Sequence, residues 1–116
     1  MDDLRGEIDR DGWALEYVQA HDPRRSYGYT VGLTLRDLPE FVISGLPAPV
    51  AWSVLNDVAG AATAGHVPSP GDVLTRPGQR SSLTVEAVED VAHLTRIREL
   101  LGPSIPLRAL HLRRSS

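Results

Sequence analysis

Tyr27-Gly28-Tyr29-Thr30-Val31-Gly32-Leu33-Thr34 alternates a bulky set, Tyr27, Tyr29, Val31 and Leu33, with a small one, Gly28, Thr30, Gly32 and Thr34. That period of two predicts a strand with one large-residue face and one unusually small face. Glu40-Phe41-Val42-Ile43-Ser44-Gly45-Leu46 follows soon after, a nearly continuous apolar run bounded by prolines, which reads as an interior strand covered on both sides. Pro47 and Pro49 then open a stretch in which Ala51, Leu55, Val58 and Ala62 recur at helical spacing up to Gly65. An early proline removes no intrahelical hydrogen bond, so this is the main helix.

Working outward, Trp13, Leu15 and Tyr17 alternate with Ala14, Glu16 and Val18 until the turn signal His21-Asp22-Pro23, giving a first strand joined to the second as a hairpin. Leu4 and Ile8, with Gly12 beyond, predict a short opening helix over 3–10. On the C-terminal side, Val73-Leu74-Thr75 and Leu83 to Val88 flank Pro77-Gly78 and read as a second hairpin. Asp90 caps an expected third helix carrying Val91, Leu94, Ile97 and Leu101, and Leu107 to Leu112 alternates as a last strand. The expected fold is α+β, a mostly antiparallel sheet with about three helices in the order α-β-β-β-α-β-β-α-β.

The chain has 116 residues and a net charge of −3, with 12 cationic side chains, all of them Arg, against 15 acidic ones. A chain of this size buries roughly 65% of the surface its unfolded form exposes, enough for a single core, so residues 1–116 are expected to form one domain. No basic tract longer than a pair is present, which argues against nucleic acid as a partner. Without cysteine there is no thiolate nucleophile, disulfide or Cys-ligated zinc. No apolar run approaches the roughly 20 residues that span a bilayer, and the N-terminus lacks the layout of a secretion signal, so no membrane partner and a cytoplasmic location are expected.

Gly12-Trp13-Ala14, then Tyr29-Thr30-Val31-Gly32-Leu33, Pro39 to Leu46, Leu55-Asn56-Asp57-Val58-Ala59 and Gly65 closely resemble, in order and spacing, the bacterial domain-of-unknown-function family 4262. The likeness spans about Ile8 to Leu112. The resemblance implies no reaction, cofactor or catalytic residue. Members that look like this chain continue past the last strand with a Trp, an Asp, a Gly and a Pro-Trp pair, whereas here Arg113-Arg114-Ser115-Ser116 follows. His111 stands about where such members carry Gln, and a site built partly by the aromatic extension would be missing here or completed by a second chain.

Several residues are candidates for chemistry or contact. Gly28, Thr30 and Gly32 would let a helix pack tightly against the second strand, the reading glycine in a strand favours, or let a ligand or peptide lie close to its backbone with Thr30 as a polar contact. Trp52 lies off the apolar stripe of the main helix; it marks a contact surface if exposed and belongs to the core if the helix is covered on two sides. His21 and Asp22 at a strand end, with Tyr27 and Tyr29 nearby in the hairpin and His111 on the last strand, could combine a general base with a phenolic donor. A metal would have to draw on His21, Asp22, His66, Asp72 and His111, none at ligand spacing, so neither metal nor cofactor is expected. Arg113-Arg114 reads as a charged terminus that protects a sheet edge. The leading expectation is a non-enzymatic binding or interaction module for an unidentified small molecule or protein, with a homodimer among the candidate partners. The alternative is a metal-independent hydrolase-like or lyase-like enzyme using His, Asp and Tyr in a cleft. Convergence of His21 and His111 on one pocket near a Tyr hydroxyl separates the two.

Overall fold

A computed structural model describes Ile8 and residues 12–75, 82–88 and 108–114. In chain order these form β1 (Ala14–Val18), β2 (Tyr27–Val31), β3 (Glu40–Ser44), helix α1 (Ala48–Thr63), β4 (Val73–Leu74), β5 (Leu83–Ala87) and β6 (Ala109–Arg114). Short 3-10 turns at Pro23–Arg25 and Leu33–Arg36 follow β1 and β2. The strands make one six-stranded sheet in the order β1-β2-β3-β6-β5-β4.

This corrects the expectation of about three helices on a mostly antiparallel sheet: the described residues hold a single α-helix and a mixed sheet, in which β3 and β6 run parallel. The expected helices over 3–10 and 90–101, apart from Ile8, and the Pro77-Gly78 turn lie outside the described residues. The parallel pair follows from where β6 inserts. It pairs antiparallel with β5 on one side and, so oriented, meets β3 in parallel register, Glu40 opposite Ala109 and Val42 opposite His111. Two interior apolar strands far apart in sequence can satisfy each other's backbone only through the tertiary fold. Arg113 and Arg114 therefore lie on an interior strand rather than protecting an edge, and Arg113 donates to Glu86 at 3.3 Å.

Alternation assigns the two faces. Phe41 and Ile43 on β3, Leu83 and Val85 on β5, and Leu110 and Leu112 on β6 meet Ala51, Val54, Leu55, Val58, Ala59 and Ala62 of α1 in the main core. Trp13 Nε1 donates to Asn56 Oδ1 at 3.0 Å, and Tyr17 Oη donates to the Leu46 carbonyl at 2.7 Å, tying β1 to the helix and to its approach. The opposite face carries a second cluster of Tyr29, Val31, Val42 and Ala109, on which Ile8, Tyr27 and Val88 pack.

Strand β2 ends sooner than its alternation predicts. Gly32 adopts φ +116°, a left-handed conformation that breaks the pleat, and the chain turns into the 3-10 segment. A Cβ at Gly32 would stand 3.0 Å from Ile8 Cγ1. Gly32→Val is thus expected to lower unfolding free energy by about 2–3 kcal/mol through backbone strain and crowding. Chemical denaturation checks this, and an unchanged midpoint would refute the assigned geometry.

Candidate functional site

The turn after β2 is held by a carboxylate. Glu40, the first residue of β3, is fully buried, and its two oxygens accept five hydrogen bonds. Oε1 accepts from Thr30 Oγ1 at 2.8 Å and from the Leu33 amide at 3.3 Å. Oε2 accepts from the amides of Gly32 at 3.1 Å and Thr34 at 2.9 Å, and from Thr34 Oγ1 at 2.7 Å. The Phe41 amide in turn donates to Thr30 Oγ1 at 2.9 Å. Burial pushes the Glu40 carboxyl above its ordinary value, while hydrogen bonds from Thr34, Thr30 and Gly32 pull the other way. With every oxygen engaged inside the protein, this cluster terminates β2 and shapes the turn.

The chemistry open to solvent lies on the face away from α1. Register places Tyr27 opposite Ser44 and Tyr29 opposite Val42 across β2 and β3, Val42 opposite His111 across β3 and β6, and Glu86 opposite His111 across β5 and β6. Four strands thus bring Tyr27, Ser44, Glu86 and His111 to one patch. Ser44 Oγ and His111 Nε2 lie 2.8 Å apart, a hydrogen bond whose direction depends on the imidazole tautomer. They line a pocket of about 330 Å³, with Val42 and Val88 as apolar wall. The Tyr27 ring stacks on Tyr29 with centroids 6.0 Å apart, and burial pushes the Tyr27 phenol above its ordinary value.

Other sequence candidates lie elsewhere. His21 is exposed and lines a separate cavity of about 600 Å³ with Tyr17, Ser26 and Leu46, at the end of the sheet near the start of α1. Asp22 does not orient it; its Oδ1 accepts from the amide of Arg24 at 3.0 Å and from Arg24 Nε at 3.4 Å, the arrangement of a turn. So Tyr27 and His111 share a pocket, and His21 and Asp22 are not part of it. Gly28 faces α1, where an added Cβ would touch Leu55 Cδ1 at 3.4 Å, and Thr30 is buried in the Glu40 cluster. Trp52 is 45% exposed on the outer side of α1. Among the described residues no group of three or more His, Cys, Asp or Glu side chains is placed to hold a metal ion, and no helix is long and apolar enough to cross a membrane.

Sequence reasoning missed Ser44, Glu86 and Glu40. Ser44 was the single hydroxyl in an apolar strand, and period two placed Thr84 and Glu86 together on one face of β5. Those signals mark faces, and only the pairing of β6 between β3 and β5 joins them.

A family model described as "Domain of unknown function (DUF4262)" matches residues 7–104. No curated protein and no solved structure matches the chain.

Proposed function

Since the chain belongs to the DUF4262 family, a domain of unknown function that brings no reaction with it, we propose a function from the site itself: a binding module that takes a small polar ligand in the pocket of Tyr27, Ser44, Glu86 and His111. The observation that carries this reading is the Ser44–His111 hydrogen bond of 2.8 Å, part-buried within that pocket. A hydroxyl and an imidazole on a half-buried sheet face cost desolvation that two aliphatic side chains would avoid. A serine hydroxyl also offers one donor and two acceptor positions, so the imidazole uses only part of its capacity.

The same distance suits a nucleophile and its base, the one observation favouring a hydrolase-like enzyme. Acyl transfer, however, also needs a donor aimed at the developing oxyanion. The amide directly after Ser44, that of Gly45, already donates to the Ser26 carbonyl at 2.9 Å. Binding is the better supported reading.

Titrating the ¹⁵N-labelled chain with a library of small polar fragments tests it. Amide shifts are expected to cluster at Ser44, Glu86 and His111, and Ser44→Val is expected to weaken the best fragment about tenfold, the loss of roughly one good hydrogen bond. Shifts confined to the His21 cavity, or none at all, would overturn the proposal. Covalent labelling of Ser44 by a fluorophosphonate would replace it with the enzymatic reading.

A further inference from the structure

Resting on that pocket reading, we infer that the ligand is a small organic cation, an alkylammonium or alkylguanidinium, held by the Glu86 carboxylate against the Tyr27 ring. Three observations converge on this class. Glu86, Ser44, Tyr27 and His111 can each accept a hydrogen bond, and Glu86 adds a carboxylate directly opposite His111 in the β5/β6 register. An anionic ligand would meet that carboxylate at close range, where like charges repel.

The second observation is aromatic. Tyr27 forms part of the wall, its ring backed by Tyr29 at 6.0 Å, and a phenol ring attracts a cation over its face. Val42 and Val88 offer apolar surface for the hydrocarbon part of the same molecule. A volume of about 330 Å³ suits a ligand of modest size.

The third is supplied by the protein itself. Arg113, two residues beyond His111 and hence on the same face of β6, donates from Nη1 to Glu86 Oε1 at 3.3 Å. The two side chains are 70% and 42% exposed, so the pairing is weak and solvent-screened. A cation is drawn to this carboxylate, and a ligand's cation can take Arg113's place at little cost.

The test titrates the ¹⁵N-labelled full chain with n-butylammonium and n-butylguanidinium, and in parallel with n-butanol and butyrate as neutral and anionic counterparts. The cations are expected to shift the Ser44, Glu86 and His111 amides saturably, with the counterparts much weaker. Glu86→Gln should weaken the cations about tenfold, the loss of a charge-assisted hydrogen bond. Arg113→Ala should tighten them about two- to fivefold by removing the internal competitor, an effect that a merely structural Glu86 does not predict. Butanol or butyrate binding as well as the cations would overturn the cation inference and leave the pocket reading standing, as would polar fragments binding where the cations do not. Silence from every probe and every fragment would overturn both.

Discussion

Glu40→Ala is expected to cost about 3–5 kcal/mol of unfolding free energy, read by urea or guanidinium denaturation. Truncation strips acceptors from the amides of Gly32, Leu33 and Thr34 and from the hydroxyls of Thr30 and Thr34, all at the end of β2. Relief of the buried charge returns part of that loss, which is why the five bonds do not simply add. Glu40→Gln should cost less, about 1–2 kcal/mol. Its amide nitrogen can replace Oε1 and donate to Thr30 Oγ1, leaving chiefly the Leu33 amide, the longest of the five bonds at 3.3 Å, without an acceptor. A loss under 1 kcal/mol for Glu40→Ala would mean that water replaces the carboxylate and the cluster does not define the turn.

The same residue has a pH signature. A carboxyl raised in the folded state holds more protons there than in the unfolded chain, so its contribution to stability falls as pH rises through the window between the unfolded value, about 4.3, and the raised folded one. Wild type should therefore gain stability relative to Glu40→Gln as pH is lowered through that window. The opposite slope would show that the hydrogen bonds outweigh desolvation.

Leu55→Ala is expected to cost about 2–5 kcal/mol, because Leu55 is fully buried where α1 meets the sheet and its loss leaves a cavity. The cavity would open beside Gly28, the position where an added Cβ already touches Leu55 Cδ1 at 3.4 Å. Gly28→Val alone should destabilise by about 1–3 kcal/mol through overpacking. In the Leu55→Ala background its cost should shrink, a coupling that a double-mutant cycle measures. Strict additivity would place Leu55 and Gly28 apart and refute the helix-over-strand packing.

Much of the local architecture was legible from residue spacing. The strands at 14–18, 27–31 and 40–44 and the helix at 48–63 sit where alternation, prolines and Gly65 locate them, since each signal acts within a few residues. Gly32 misled, because alternation across Val31 and Leu33 extends the strand while a left-handed glycine ends it. Glu40 opens the apolar run 40–46, and nothing in the local spacing announces the five hydrogen bonds its carboxylate accepts from the end of β2 and the turn after it. At the site, Tyr27 and His111 are among the residues the sequence singles out, whereas His21 lines a different cavity and Asp22 accepts from Arg24 in a turn, because both lie past the end of β1 and off the sheet face.

The sequence by itself determined where β1, β2, β3 and α1 begin, which faces of those strands are large or small, and that the chain carries no cysteine and no basic tract longer than a pair. Only the tertiary structure decided that β6 enters between β3 and β5, parallel to one and antiparallel to the other, and so laid His111 between Ser44 and Glu86. The physical reason is range. Periodicity reports which way a side chain points, whereas strand partners are chosen by satisfying backbone hydrogen bonds and burying apolar faces across the whole chain, and a site assembled from four strands exists only after that choice.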